Sequence, residues 1–219
     1  MEGLFGAAFK DFVLVAADMT AAQSILVMKN DEGKIYKISD KLVMAVTGDS
    51  GDTVQFAEFI AKNIQLYKMR NGYELSPRAA AYYTRKQLAE YLRSRSPYNC
   101  NMLIAGHDPE EGPQLFFIDY LASLIEIPYI THGYPGIVTL SIMGEYHRSD
   151  MTVEEAYEMF AKCVQEVQKR LIINVPNFKV TMVSKDGIKH LPPIKAKNIP
   201  EENKGIPETE QYAAIPVAV

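Results

Sequence analysis

The sequence is poor in residues that bind metals or form disulfides. Its 219 residues include two cysteines, Cys100 and Cys163, which form no CxxC pair, and four histidines without a shared ligand spacing. Two isolated cysteines are typical of a reducing compartment, where each packs as a small apolar side chain. We therefore expect both cysteines in the core, and we expect no metal site and no cofactor.

The chain also lacks a basic cluster and a long apolar run. It has 23 Lys and Arg against 27 Asp and Glu, for a net charge of −4, and no group of basic residues is free of acidic neighbours. Nucleic acid and membranes are therefore not expected as partners. No stretch reaches the roughly 18 apolar residues that span a bilayer, and the first residues do not form a secretory signal. We expect one soluble, intracellular domain.

The beginning of the chain contains no side chain suited to nucleophilic attack. No Ser, Thr or Cys occurs before Thr20, although the sequence is apolar and strand-like from the third residue onward. Hydroxyl and thiol side chains are the commonest covalent catalysts in hydrolases. This absence becomes important for any fold that uses its first residue as a nucleophile.

Short segments rich in β-branched and aromatic residues predict strands in three blocks along the chain. The segment 42–48 is apolar on both faces, which predicts a central strand that is covered on each side. The predicted strands are 12–18, 24–28, 34–38, 42–48, 100–106, 114–120, 123–128 and 178–183, with a short extension at 188–191.

Four helices are predicted between these blocks, at 52–69, from Pro77 to about residue 95, at 135–145, and from Thr152 onward. Ser76 is a suitable N-cap for the second helix, and Thr152 with Glu155 forms a capping-box pattern for the fourth. The order of strands, two helices, strands, two helices and a strand predicts an α+β fold, a four-layer αββα sandwich of two stacked antiparallel sheets.

Several motifs resemble the proteasome β-subunit family. They are GDTVQFAE at 51–58, QLYKMRNGYELSP at 65–77, RSRSPYN at 93–99 and THGYPG at 131–136. The resemblance covers about residues 1–191 and implies the N-terminal nucleophile hydrolase fold. It also implies that the chain belongs to the 20S core particle, in which two seven-membered β rings lie between α rings. Within its β ring the chain would occupy the fourth position. The partners would be other α and β subunits, in the cytoplasm and nucleus, in ubiquitin- and ATP-dependent protein degradation.

The resemblance assigns the catalytic position to the first residues of this chain. In active members, a Thr exposed by removal of a propeptide supplies both the attacking hydroxyl and, through its α-amine, the base. Here Met1 and Glu2 stand at that position, and no Gly-Thr junction precedes the fold. We therefore expect no catalytic residue and a structural, non-catalytic subunit.

Three further positions match the family's active site. Asp18 corresponds to its acidic residue, Lys34 to the Lys that lowers the pKa of the nucleophile, and Gly48 to the N–H that faces the oxyanion. A structural alternative exists for each residue. Asp18 can cap a turn, Lys34 can be solvated on a hairpin, and Gly48 can supply a positive φ.

The chain departs from active members elsewhere. His132-Gly133 replaces Ser-Gly, and Arg170-Leu171 followed by residues 172–174 replaces Arg-Asp and Ser-Gly, so the polar network that supports the nucleophile is lost. Thr20 corresponds to a position that lines the substrate side-chain pocket, and it has no free amine.

Two other functions remain open: a catalytically active threonine-type amidohydrolase of the same fold, and a free-standing binding module or assembly factor. Residues 192–219 form a separate Pro-rich tail, which we expect to run extended along a neighbouring subunit. Its candidate anchors are Ile206, Tyr212, Ile215 and Val217.

Overall fold

The computed structural model of the chain describes residues 2–23, 26–172 and 175–195. The strands in these ranges are β1 (Gly3–Ala8), β2 (Phe12–Asp18), β3 (Ala21–Gln23), β4 (Leu26–Lys29), β5 (Ile35–Ser39), β6 (Leu42–Gly48), β7 (Cys100–Asp108), β8 (Gly112–Ile118), β9 (Leu124–Glu126), β10 (Tyr129–Gly133), β11 (Asn177–Ser184) and β12 (Gly187–Lys195). The helices are α1 (Ser50–Asn71), α2 (Pro77–Leu92), α3 (Gly136–Tyr146) and α4 (Val153–Arg170).

Two antiparallel five-stranded sheets form the centre of the molecule. The first has the order β10-β1-β2-β11-β12 and the second the order β5-β6-β7-β8-β9, while β3 and β4 form a separate hairpin. Apolar side chains fill the space between the sheets, among them Leu4 and Val13 from the first and Val43 and Leu103 from the second. The strand β6 is buried on both faces, which confirms its predicted central position.

Helices cover the outer face of each sheet. Helices α3 and α4 lie on the first sheet, with Met143 and Phe160 in the shared core, and helices α1 and α2 lie on the second, with Phe56 and Leu88 in theirs. The predicted four-layer αββα sandwich is therefore confirmed. None of these helices is long and apolar enough to cross a membrane.

Helix α4 forms as its sequence predicts. The Thr152 hydroxyl accepts from the Glu155 N–H at 3.3 Å, and the Glu155 carboxylate accepts from the Thr152 N–H at 2.9 Å. The two contacts satisfy N–H groups that the first helical turn leaves without a backbone partner. The predicted apolar stripe packs on the first sheet, where Phe160 meets Phe5 edge to face with ring centroids 6.0 Å apart.

The other three helices differ from prediction only at their ends. Helix α1 begins at Ser50, two residues early, because the Asp49 side chain caps it by accepting from the Gly51 N–H. It ends at Asn71, two residues later than predicted, and is followed by Gly72 as its C-cap with φ at +80°. Ser76 caps α2 as predicted, but α2 ends at Leu92 rather than near residue 95.

Some predicted strands need correction. The sequence predicts one strand at 24–28, whereas the structure has β3 ending at Gln23 and β4 beginning at Leu26, with residues 24 and 25 outside the described ranges. Strand β10 was not predicted. Strand β12 extends through Lys195, because Ile194 is buried opposite Phe178 of β11. The first four residues of the predicted tail thus belong to the sheet, and its proposed anchors lie outside the described residues.

Candidate functional site

A cleft of about 570 Å³ opens at one end of the two sheets. The beginning of β1, the β3–β4 hairpin, the residue before β5, the end of β6 and the end of β10 all contribute to its wall. The lining residues that matter below are Glu2, Ala21, Ala22, Glu32, Lys34, Gly48, Asp49, His132 and Gly133. The cleft therefore brings together positions that lie far apart in the sequence.

Asp18 is the last residue of β2 and is fully buried. Its Oδ1 accepts from the Gly3 N–H at 2.8 Å and from Lys34 Nζ at 2.9 Å. Its Oδ2 accepts from Lys34 Nζ at 2.9 Å and from the Thr20 N–H at 3.2 Å. The turn-capping alternative accounts for the Thr20 contact alone. The other contacts join three segments of the chain through one carboxylate.

Lys34 precedes β5, and only 6% of its side chain is exposed. Besides its bonds to Asp18, Nζ donates to the Thr20 carbonyl oxygen at 2.9 Å. A buried ammonium needs a partner of opposite charge and further acceptors to offset the loss of hydration. Lys34 has both, so the alternative of a solvated hairpin lysine is wrong.

Glu2 provides a contact that the sequence did not reveal. Its Oε2 accepts from the Gly48 N–H at 2.6 Å, and its Oε1 lies 3.4 Å from Lys34 Nζ. One quarter of the Glu2 side chain is exposed to the cleft. The sequence signal for it was indirect: the resemblance assigns Met1 and Glu2 to the nucleophile position and Lys34 to the lysine that acts on that nucleophile.

Gly48 ends β6 with φ at +144°, and a Cβ at this position would overlap the Asn99 carbonyl oxygen. The positive-φ explanation therefore holds for Gly48, and its N–H also points at the Glu2 carboxylate. Gly133 has φ at +83°, and a Cβ there would overlap the Glu2 carbonyl oxygen. Since Gly3 pairs with Gly133, β10 fixes the backbone that carries Glu2.

The other candidate residues take different places. Thr20 is buried, and only its backbone takes part in the site. Ala21 and Ala22 line the cleft, where the resemblance had placed Thr20. His132 lies on the cleft wall, where burial lowers its pKa and the Asp119 charge acts weakly in the opposite direction. Its ring centroid lies 5.2 Å from that of Phe117.

The second departure from active members lies at the end of α4. Arg170 pairs with Glu166 at 3.0 Å, and Ile172 is fully exposed. Residues 173 and 174 lie outside the described ranges. Arg170 is not among the residues that line the cleft.

The cysteines are unsuited to act as nucleophiles. Both are buried, and desolvation raises the pKa of Cys100 and of Cys163 to about 12. Each thiol therefore stays protonated at neutral pH. In the part of the chain that the structure describes, no group of three or more His, Cys, Asp or Glu side chains is arranged to hold a metal ion.

Within the cleft, one cation and one backbone N–H converge on the side chain of Glu2. A carboxylate in this position accepts hydrogen bonds and stabilises positive charge. It carries no hydroxyl that could be activated to attack a peptide carbonyl, as covalent hydrolysis by this type of fold requires.

Comparison with known proteins identifies relatives over most of the chain. The proteasome subunit family matches residues 3–183. Proteasome subunit beta type-2-A of Arabidopsis thaliana is 46% identical over 187 residues, which cover 85% of this chain and 91% of the relative. Proteasome subunit beta type-4 of Saccharomyces cerevisiae is 40% identical over 198 residues, which cover 90% of this chain and 100% of the relative. The chain therefore belongs to the proteasome β-subunit family.

Proposed function

We propose that this chain is a non-catalytic structural β subunit of the 20S proteasome core particle. It would occupy the fourth position of the β ring, contribute to assembly and to the wall of the proteolytic chamber, and leave peptide cleavage to other subunits. The names of its relatives, beta type-2 and beta type-4, support the assignment to a proteasome. The proposal places the chain in the cytoplasm and nucleus.

One observation carries the non-catalytic part of the proposal. The Glu2 carboxylate lies between Lys34 Nζ and the Gly48 N–H, where the resemblance places a nucleophilic Thr in active members. Lys34 is already neutralised by Asp18 at 2.9 Å. The charges and donors of the cleft are thus satisfied without a hydroxyl, and Asp18, Lys34 and Gly48 serve the fold rather than a reaction.

Exposed apolar side chains support a role in assembly. Leu26, Val27 and Met28 on the β3–β4 hairpin and Ile137 and Leu140 on α3 are exposed in the isolated chain. Apolar residues grouped on a surface are typical of sites that contact other proteins. The proposed partners are neighbouring α and β subunits of a large hetero-oligomer.

Two measurements test the proposal together. Size-exclusion chromatography of a native extract should place the chain in a large particle, far from the 24.6 kDa of the monomer. An electrophilic peptide probe that captures catalytic threonines should then label other subunits of that particle but not this chain. Elution as a monomer would support a free-standing module, and labelling of this chain would support the amidohydrolase alternative.

The mass of the chain in the purified particle provides a control for the probe. We expect the mass of the uncut chain, with or without its initiator Met. A shorter chain that begins with Thr would contradict the non-catalytic proposal, because such processing would create both the missing hydroxyl and its adjacent amine.

The tail is a separate part of the proposal. We infer that the segment after β12 runs extended along a neighbouring subunit, with Ile206, Tyr212, Ile215 and Val217 as anchors. The test is to delete residues 196–219, which leaves β12 complete, and to measure incorporation into particles. Reduced incorporation is expected, and the matched control replaces the four anchors by Ser in the full-length chain. Unchanged assembly of both variants would contradict this inference.

A further inference from the structure

The chain contains two Ser-Pro dipeptides, Ser76-Pro77 and Ser96-Pro97. Ser-Pro is the sequence that proline-directed protein kinases phosphorylate. Such kinases bind the acceptor Ser and the following Pro in an extended segment, and a residue that precedes Pro favours that conformation. The two dipeptides lie in opposite environments, which determine whether a kinase can reach them.

Ser76-Pro77 is built into the beginning of α2. The Ser76 hydroxyl accepts from the Ala79 N–H at 3.2 Å, so it serves as the N-cap of the helix. Pro77 is buried and packs against β7, where a Cβ on Gly106 would overlap its ring. While the chain is folded, neither the hydroxyl nor the proline of this dipeptide is free to enter a kinase active site.

Ser96-Pro97 lies in the loop of residues 93–99 between α2 and β7. Ser96 and Pro97 are both exposed, and no helix or strand includes them. The neighbouring Ser94 hydroxyl is engaged, because it donates to the Tyr91 carbonyl oxygen at 2.7 Å and accepts from the Ser96 N–H at 3.2 Å. Ser96 takes part in this contact through its backbone, which leaves its hydroxyl available at the surface.

The loop is anchored on both sides of the exposed dipeptide. Ser94 holds the beginning of the loop to the last turn of α2. After the dipeptide, the Tyr98 ring packs against the rings of Phe56 and Tyr91, with centroids 5.0 Å and 4.9 Å apart. Ser96 therefore protrudes between two fixed points, and a group added to its hydroxyl displaces no packed side chain.

The surroundings of Ser96 can accept the charge of a phosphate, which is about −1.5 to −2 on a phosphoserine at pH 7. Arg93 and Arg95 are exposed on the loop, and Arg95 and Ser96 line the same cavity of about 420 Å³. Asp52 also lines it, but its carboxylate already accepts from the Asn99 N–H at 2.9 Å. In the part of the chain that the structure describes, the arginines in ion pairs are Arg78, Arg148 and Arg170. The two loop arginines are thus available to pair with an added anion.

We propose that Ser96 is a phosphorylation site for a proline-directed protein kinase, with ATP as the phosphoryl donor. The Ser96 Oγ attacks the γ-phosphorus of ATP and forms the new P–O bond, while the bond from that phosphorus to the β,γ-bridging oxygen breaks and ADP leaves. The hydroxyl proton passes to the carboxylate base of the kinase. This inference goes beyond the proposed function and does not depend on it, because it rests on the loop of the isolated chain.

The first test compares the folded full-length chain with synthetic peptides of residues 70–82 and 90–102. Each is incubated with a mitogen-activated protein kinase, ATP and Mg²⁺, and the phosphates are located by fragment mass spectrometry. The ratio of the Ser96 rate to the Ser76 rate should be at least about tenfold higher in the chain than in the peptides, because Ser76 must first leave the N-cap and Pro77 its buried position. An equal ratio, or a Ser96 that stays unmodified in the chain, would overturn the inference.

Single variants at exposed positions of the full-length chain identify the acceptor. Ser96→Ala should abolish phosphorylation of the loop, and Ser94→Ala, the matched control, should retain it. Pro97→Ala should reduce the rate at Ser96 to background, since the kinase recognises the proline. Loss of the phosphate in Ser94→Ala and its retention in Ser96→Ala would assign the site to Ser94 and contradict the proposal.

The same phosphate is expected on the chain purified from its own cells with phosphatases inhibited. Fragment masses should place it on Ser96 in the native chain, and Pro97→Ala expressed in those cells should lack it. A native chain without phosphate on Ser96, or a Pro97→Ala chain that retains it, would contradict a proline-directed site. Elution of the chain as a monomer would contradict the proposed function and leave this inference intact, so the two failures are distinguishable.

Discussion

Two ion pairs of nearly equal length lie in opposite environments of this molecule. Lys34 and Asp18 approach to 2.9 Å with 6% and 0% of their side chains exposed. Lys62 and Glu58, one turn apart on α1, approach to 2.7 Å with 72% and 53% exposed. Judged by distance alone, the exposed pair would contribute more to stability than the buried one. Burial reverses that order. Water screens the surface charges, whereas a buried charge that loses its partner has no substitute.

The largest effect is expected from Asp18→Asn. The change preserves the size of the side chain but removes the negative charge that faces Lys34, and it weakens the acceptors for the Gly3 and Thr20 N–H groups. We expect the free energy of unfolding, measured by urea denaturation of the full-length chain, to fall by about 3–5 kcal/mol. Asp31→Asn is the control, because Asp31 is 77% exposed in its pair with Lys29. Equal effects of the two changes would remove the distinction between buried and exposed pairs.

The next effect concerns the backbone donor of the same site. Gly48→Ala places a Cβ against the Asn99 carbonyl oxygen at a φ of +144°. Strain and overlap together should lower the free energy of unfolding by about 2–3 kcal/mol. Gly33→Ala, next to Lys34, is the matched control, since a Cβ there meets no atom within 4 Å. A large loss in Gly33→Ala would show that the loop before β5, rather than the β6 end, is the sensitive element.

An intermediate effect is expected from Glu2→Gln. Glu2 is only partly exposed, and its charge interacts with Lys34 across 3.4 Å while its Oε2 bonds to the Gly48 N–H. The amide can keep the hydrogen bond but not the charge, so a loss of about 1 kcal/mol is expected in the same urea measurement. Glu32→Gln should change stability less. A cost equal to that of Asp18→Asn would mean that Lys34 depends equally on both carboxylates.

The sequence predicts best those helices and strands whose ends are determined by residues close to them in the sequence. Strands β2 and β6 have the predicted bounds, and Thr152 and Glu155 cap α4 as expected. The start of α1 lies two residues before the predicted residue 52, because the Asp49 side chain caps the helix by accepting from the Gly51 N–H. Strand β10 carries no local sequence signal, because its residues alternate in no clear pattern and pairing with β1 determines its structure.

The sequence predicts which residues form the site, but not which of them contact each other. The resemblance assigns Asp18, Lys34 and Gly48 to one site. Lys34 and Gly48 line the cleft, whereas Asp18 is fully buried and reaches the site through its bonds to Lys34. The bond between Glu2 and Gly48 joins residues 46 positions apart, and it depends on how β1 and β6 lie in different sheets. The spacing of residues along the sequence cannot predict a contact of this kind. The burial of Lys34 is equally a tertiary property, since the same residue on an isolated hairpin would be solvated.

The smallest effect is expected on the surface of α1. Lys62→Met retains a long side chain with good helix propensity and removes the i, i+4 pair with Glu58. The free energy of unfolding should change by less than about 0.5 kcal/mol, and raising the salt concentration should reduce the difference further. A double-mutant cycle with Glu58→Gln isolates the pair from the individual side chains. A coupling energy as large as that of the Lys34–Asp18 pair would contradict the view that burial, and not the distance between the charges, determines what an ion pair contributes to this fold.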